Sequence, residues 1–339
     1  MKAAVIGLGP HGRRIVDVLR ALGGVELAAV VDRSEAALAA LELPESVARC
    51  RSDEELWSRG DVGLVCVATN GPSHAALAVA AMKAGVRRLL VEKPMACSLA
   101  ECDQILAAAR RTGTRVAVDH GRRHAPVYQW LRTRIASGDW GQVRAIWMQR
   151  PDIGLGCNGT HSFDTVTYLA DADVERVTGW VDKPIKKNPR GEQFVDPGGT
   201  VIMELAGGAR ALVAQIEDGA GPTSLEIDMT AARIRFDERT GGLEIIERDL
   251  SIKPGPNRPA VFQQTAPPTD LPLKLDMPTM IRGCLTELVA EAPLAGDGRH
   301  GRAAVEVLVA AYLSQQRGNV PVKLPLEQRD ELNLRLAVT

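Results

Sequence analysis

Ala3-Ala4-Val5-Ile6-Gly7-Leu8-Gly9-Pro10-His11-Gly12, read on to Asp32, decides the fold of this chain. The apolar run has the length of a short buried strand, and the turn that follows carries Gly7, Gly9 and Gly12. Arg13 to Leu22 continues with helical spacing, and a second apolar run, Val25 to Val31, stops on Asp32. Strand, glycine turn, helix, strand and an acid about 20 residues past the last glycine make the pattern of a dinucleotide-binding unit. Gly7 permits the tight turn, Gly9 lets backbone N–H groups approach a pyrophosphate, and Gly12 lets helix and strand pack closely. Pro10 and His11 complete the turn, where the positive end of the helix dipole faces the phosphates. Asp32 can accept hydrogen bonds from the ribose hydroxyls, which favours NAD. Arg33 beside it can bind a 2′-phosphate and keeps NADP open.

Working outward, strands and helices alternate to about His120. Asp61 to Ala68 is apolar after its first residue, as expected of a strand covered on both faces. It ends in the polar loop Thr69-Asn70-Gly71-Pro72-Ser73-His74, before an alanine-rich helix from Ala75 to Ala84. Ligands of doubly wound sheets sit outside the carboxyl ends of the strands, so Thr69 and Asn70 fall where a cofactor would lie. His74 reads as a loop or helix-start residue before it reads as a catalyst. Val86 to Val91 ends in Glu92-Lys93-Pro94. The proline restricts Lys93 and permits a cis bond, which would fix the direction of that side chain. Residues 1–120 thus read as a Rossmann domain in the α/β class.

From Gly121 the pattern changes. After a helix from Val127 to Ala136 come strands at Val143–Gln149, Val174–Val181, Thr200–Ala206, Ala209–Glu217, Ser224–Thr230 and Ala232–Phe236. Gly207-Gly208 and Thr240-Gly241-Gly242 are hairpin signals. Residues 121–339 are therefore expected to form an α+β domain with an open, mostly antiparallel sheet. The proline-rich stretch Ser251 to Pro278 reads as a long surface loop, followed by helices at Thr279–Glu291 and Gly301–Arg317.

The chain has 339 residues, 45% of them hydrophobic and 24% charged, with a net charge of −1. This suits two soluble domains and argues against nucleic acid, which needs a concentrated basic surface. No apolar run is long enough for a membrane span, and the short, glycine-broken opening does not read as a signal peptide. The six cysteines show no metal-binding spacing and read as reduced thiols, so the expected location is cytoplasmic, without a metal.

One segment in the second half carries chemistry: Gly154-Leu155-Gly156-Cys157-Asn158-Gly159-Thr160-His161-Ser162-Phe163-Asp164. His161 and Asp164 are one helical turn apart, so both can face one side. Taken alone, His161 is as readily a structural histidine as a base. Asp152, Asp164 and Asp196 are acids in regions expected to face a substrate.

Taken together, these motifs resemble the glucose–fructose oxidoreductase / inositol dehydrogenase (Gfo/Idh/MocA) family. The resemblance runs through the glycine turn, the Thr69-Asn70 to His74 loop, Glu92-Lys93-Pro94, the Arg122-Arg123 segment ending at Pro126, the glycine-rich histidine segment, and Val320-Pro321-Val322-Lys323-Leu324-Pro325. It implies an active site in a cleft between the domains, with assembly through the open sheet into a homodimer or homotetramer. It also implies hydride transfer between nicotinamide and a hydroxyl-bearing carbon of a sugar, aminosugar or cyclitol. Lys93 matches the family lysine on the reacting oxygen, His161 the general acid/base, and Asp164 the aspartate three residues later. Thr69, Asn70, His74, Glu92, Lys93 and Arg122 are expected on the cofactor side; Lys93, Cys157, Asn158 and His161 on the substrate side. Many members carry D-x-G-x-H where this chain has Cys157-Asn158-Gly159-Thr160-His161, so a thiol replaces a carboxylate. Either Lys93 or His161 serves as immediate base. Reduction of an imine or enone, and a non-catalytic NAD(P) sensor, are the competing readings.

Overall fold

A computed structural model describes residues 1–339 except 152–153, 189, 250, 253–254, 256–258 and 339. Asp152 lies outside the described residues. The chain divides into two compact units, one of Met1–His124, Asp276–Val305 and Gln328–Thr339, the other of Ala125–Leu275 and Glu306–Glu327.

The first unit is built on a parallel sheet of β1 (Lys2–Ile6), β2 (Glu26–Val31), β3 (Ala48–Cys50), β4 (Leu64–Val67), β5 (Arg88–Val91) and β6 (Arg115–Val118). Their order is β3-β2-β1-β4-β5-β6. Successive strands are added in one direction from β1 to β3 and in the other from β4 to β6, so β1 and β4 flank the switch point where doubly wound folds bind ligands. Residues Ala3 to Ile6 and Leu64 to Val67 are buried throughout, because helices cover both faces. Those helices are α1 (Pro10–Arg20), the short α2 (Glu35–Ala39) and α3 (Asp53–Trp57), α4 (Gly71–Lys83) and α5 (Leu99–Thr112). The buried stripe Gly12, Ile15, Val16, Val18 and Leu19 on α1 has the spacing of one helix face.

The second unit holds α6 (Pro126–Ala136), β7 (Val143–Pro151), α7 (Thr160–Ala170), β8 (Val174–Val181), β9 (Gly199–Leu205), β10 (Arg210–Ile216), β11 (Ser224–Met229), β12 (Ala232–Asp237), β13 (Gly242–Arg248) and β14 (Phe262–Thr265). Later in the chain come α8 (Met277–Val289) and α10 (Arg329–Asn333), both of the first unit, α9 (Gly298–Gln316), which runs from the first unit into the second, and β15 (Val322–Lys323) of the second. The sheet order is β14-β13-β12-β11-β7-β10-β9-β8-β15. All its neighbours run antiparallel except the central pair β7 and β10. On β9 and β11 buried and half-buried residues alternate strictly, as in a sheet with one covered face. Trp147 and Trp180 stand on the exposed side, at 39% and 42% exposure. On the covered side Gly179 admits α9 closely: a Cβ there would meet the Ala311 backbone oxygen at 2.6 Å.

Three details differ from the sequence reading. Helix α8 and the start of α9 belong to the first unit, not to a contiguous 121–339 domain. Ile281, Cys284, Leu285 and Leu288 of α8 complete the apolar core beneath α1 and β1. Helix α4 begins at Gly71, because proline is tolerated in a first turn, and this brings His74 inside the helix. The stretch 251–278 contains β14, an edge strand on β13 whose residues are exposed or half-buried and so carry no burial pattern to read.

Candidate active site

The glycine turn is built as its composition demands. Gly7 sits at φ +95°, and a Cβ there would lie 2.7 Å from the Ala68 carbonyl oxygen. A Cβ on Gly12 would come within 1.9 Å of the Gly7 oxygen, so only hydrogen fits where α1 leaves the strand. Gly9 is the opposite case, with nothing within 4 Å of its Cβ position. It is the N-cap of α1, makes no side-chain cap, and is followed by Pro10 at the helix start. The N–H groups of His11 and Gly12 therefore lack an intrahelical acceptor and stand beside an open backbone surface. This cradle fits a pyrophosphate.

Asp32 is held from two sides. Its Oδ2 accepts from Leu8 N at 2.8 Å and its Oδ1 from Ser34 N at 2.9 Å, so the carboxylate is fixed beside the glycine turn. The Arg33 side chain beside it is exposed. At the end of β4, Thr69 Oγ1 and Ser73 Oγ are 2.7 Å apart, and Ser73 Oγ donates to the Asn70 carbonyl oxygen at 2.8 Å. Asn70 is the N-cap residue of α4, and Ser73 ties it to Thr69 next to Gly7.

Glu92 and Lys93 follow β5. Both side chains are largely buried, with Nζ 3.8 Å from Glu92 Oε1, and the Lys93–Pro94 bond is cis. His74 is fully enclosed, with Nδ1 2.8 Å from the Pro94 oxygen and Nε2 3.2 Å from the Thr69 oxygen. Burial, more than any neighbour, pushes its imidazole below the ordinary histidine range, so it is neutral. It joins the two loops rather than facing open space.

His11 reaches across the carboxyl edge of the sheet to Asp119, which follows β6; Nε2 and Oδ2 are 2.8 Å apart. Burial opposes charge on His11, but the Asp119 hydrogen bond and the nearby carboxylates of Glu92 and Asp119 hold the imidazole above its ordinary value. Burial likewise opposes the Asp119 carboxylate, and the hydrogen bond and charge of His11, with His124 and His120, bring it below the usual range. Arg122 is buried in the one-turn 3-10 helix Gly121–His124 just beyond. Asp119 was not singled out in the sequence, although it occupies a strand-end position like those of Thr69 and Glu92.

The remaining candidates lie in the second unit. Leu155–Gly159 form a π-helical turn that leads into α7, which carries His161 and the buried Asp164. Asp196 caps this turn, accepting from Gly156 N and Cys157 N, both at 2.6 Å. Gly154 lets it come close, since a Cβ there would lie 2.2 Å from the Asp196 backbone oxygen. Asp196 thus supports the turn from which His161 emerges, a role that charge alone did not signal. The Cys157 Sγ has Asn158 Nδ2 at 3.5 Å and Arg190 Nη1 at 3.4 Å. Among the described residues no group of three or more His, Cys, Asp or Glu side chains is placed to hold a metal. Nor is any helix among them long and apolar enough to cross a membrane.

Comparison with known proteins agrees with this geometry. Residues 1–120 match the model of an oxidoreductase family with an NAD-binding Rossmann fold, GFO_IDH_MocA. A 4-carboxy-2-hydroxymuconate-6-semialdehyde dehydrogenase of Sphingobium sp. is 30% identical over 140 residues, covering 41% of this chain and 44% of its own. Inositol 2-dehydrogenase 1 of Saccharopolyspora erythraea is 28% identical over 224 residues, covering 61% and 65%. The matched region is less than two thirds of either relative's length. An inositol dehydrogenase homolog from Azotobacter vinelandii, crystallised with NADH and myo-inositol, superposes with a TM-score of 0.76 at 18% identity, covering 96% of this chain and 97% of its own. Residues 1–120 thus match the NAD-binding Rossmann domain of the Gfo/Idh/MocA oxidoreductases, and the parallel sheet followed by a mostly antiparallel sheet shares its fold with the solved inositol dehydrogenase homolog.

Proposed function

We propose that this protein is an NAD(P)-dependent dehydrogenase acting on a hydroxyl-bearing carbon of a sugar, aminosugar or cyclitol. The observation that carries the reading is the open, uncapped cradle at Gly9 on the same sheet edge as the buried Glu92-Lys93 pair. The name of one relative, an inositol 2-dehydrogenase, supports it. The fixed carboxylate of Asp32 favours NAD over NADP, because a 2′-phosphate would meet a like charge.

Bound nicotinamide supplies the hydride acceptor. His11 and Gly12 would hold the pyrophosphate through their free backbone N–H groups, with Gly7, Gly9 and Pro10 shaping the turn; Asp32 and Arg33 would flank the ribose, and Thr69, Asn70, Glu92 and Arg122 would line the rest of the cofactor side. His74 acts through the loops it joins. The alcohol must lose its hydroxyl proton as its carbon loses hydride. Lys93 stabilises the charge developing on that oxygen, and either Lys93 itself or His161 takes the proton. Imidazole suits this role because it titrates near neutrality. Asp164 orients His161, while Cys157 and Asn158 contact the substrate. The first unit is thus the dinucleotide-binding part and the second the substrate-binding part. The exposed sheet face bearing Trp147 and Trp180 is the proposed surface for a homodimer or homotetramer, and the proposed location is the cytoplasm.

The test offers purified protein with NAD or NADP a panel of cyclitols, sugars and aminosugars while nicotinamide absorbance is followed. Lys93→Ala and His161→Ala should each lower turnover by roughly 100-fold or more with NAD binding retained. Cofactor binding without turnover of any polyol, imine or enone would leave the sensor reading instead.

A further inference from the structure

A cavity of ≈ 560 Å³ opens in the second unit beside the π-helical turn, lined among others by Gly154, Cys157, Lys187, Arg190 and Asp196. Cys157 on its wall precedes His161 by four residues, about one helical turn. The cavity thus shares the π-helical turn that leads into α7, the helix carrying the proposed acid/base residue.

Its carboxylates are already turned to donors of the chain. Asp196 takes the Gly156 and Cys157 N–H groups, Glu217 those of Ile185 and Lys186, and Glu192 the Lys187 ammonium at 2.6 Å. Lys186 pairs with Asp218 at 3.1 Å. Arg190 differs. Among the described residues its guanidinium meets the Cys157 sulfur at 3.4 Å, and no carboxylate pairs with it. Sulfur is a weak acceptor, whereas a guanidinium offers five N–H donors in a planar fork that matches an oxyanion. The Asn158 amide donates to the same sulfur at 3.5 Å, so the sulfur has a donor besides Arg190.

We infer that this cavity receives an anionic substituent of the substrate, a carboxylate or a phosphate ester, through Arg190, so that the substrate is an acidic sugar derivative. This rests on the oxidoreductase reading and narrows its substrate class. The thiol at 157 then has a purpose. An aspartate there would pair with Arg190 and repel the incoming anion, whereas cysteine leaves the fork available.

The experiment compares D-glucuronate and D-glucose 6-phosphate with D-glucose, as substrates by steady-state kinetics and as ligands by calorimetry, each with NAD present. The expected result is a preference of about tenfold or more for one of the acids, from charge-assisted hydrogen bonds. Arg190→Gln and Cys157→Asp should each reduce the acid-to-neutral ratio by about tenfold, with Arg190→Lys between. An acid that binds in an Arg190-dependent way but is not oxidised upholds the anion site and defeats hydride transfer. Oxidation of the neutral sugar with no preference for either acid, or an acid preference that Arg190→Gln does not alter, overturns the anion site while hydride transfer stands. Failure of both acids to bind overturns it as well.

Discussion

His11 Nε2 stands 2.8 Å from Asp119 Oδ2, tying the second residue of α1 to the end of β6 across the edge where Glu92 and Lys93 emerge. The native His11 value is raised above the unfolded one. Its contribution to stability is therefore whole below about pH 6.5 and lost as pH rises through the native value. Asp119 runs the other way. Its native value is lowered, so its contribution is whole above about pH 3.9 and lost as pH falls through the native value. The pair is fully engaged between about pH 4 and about pH 6.5.

Urea unfolding of His11→Gln should accordingly show a deficit of about 2 kcal/mol near pH 6, the worth of a hydrogen bond to a charged group. The deficit should shrink as pH is raised towards about pH 9, as the wild-type imidazole loses its proton. An equal deficit at both values would mean that His11 contributes packing alone.

The glycines at 9 and 12 separate folding from cofactor binding. Gly12→Ala forces a methyl against the Gly7 carbonyl and should cost about 1–3 kcal/mol, as overpacking does, besides weakening NAD binding. Gly9→Ala meets no neighbour at an ordinary φ of −62°, so its thermal unfolding should stay within about 1 kcal/mol of wild type. Its methyl would nevertheless stand where the phosphates approach, and NAD affinity should fall by about tenfold or more. A Gly9→Ala protein that binds NAD normally would remove the pyrophosphate from this cradle.

The first unit was legible because its signals are local. Continuous apolar runs, three glycines and an acid at fixed spacing determine β1, α1 and β2 without reference to the rest of the chain. In the second unit, alternation along β9 and β11 announced a half-covered sheet. The parallel alignment of β7 with β10 depends on connections that no local pattern encodes. Helix α8 lies far along the sequence yet completes the first core, a long-range fact that its amphipathic spacing does not reveal. Asp119 and Arg190, and the capping role of Asp196, escaped for a related reason. Each matters through a partner distant in sequence, His11, the Gly156–Cys157 backbone and Cys157 respectively, and composition does not show which partner a side chain meets.

Asp196 offers one acceptor oxygen to each of two backbone N–H groups, and asparagine has only one such oxygen. Asp196→Asn should leave either Gly156 N–H or Cys157 N–H without its partner, at a cost of about 1–3 kcal/mol. Because the turn leads into α7, His161 should lose its alignment. Turnover should then fall more than thermal stability alone explains, when both are measured well below the melting temperature. An Asp196→Asn enzyme with wild-type kcat would show that the turn holds its shape without the cap.

His74 tests whether the Lys93–Pro94 turn is positioned from behind. The neutral imidazole has a single N–H, and the 2.8 Å contact to the Pro94 oxygen uses it better than the 3.2 Å contact to Thr69. His74→Phe keeps the bulk but removes that donor, so the turn carrying Lys93 loses one anchor and gains an unsatisfied carbonyl. We expect kcat to fall by about tenfold or more, since small displacements of a reacting group are costly, with NAD affinity little changed. His74→Asn places an amide N–H near the position of Nδ1 and should recover part of the loss in kcat, although it packs less well and melts lower. A merely structural histidine predicts the reverse order, with phenylalanine the more active variant because it fills the cavity.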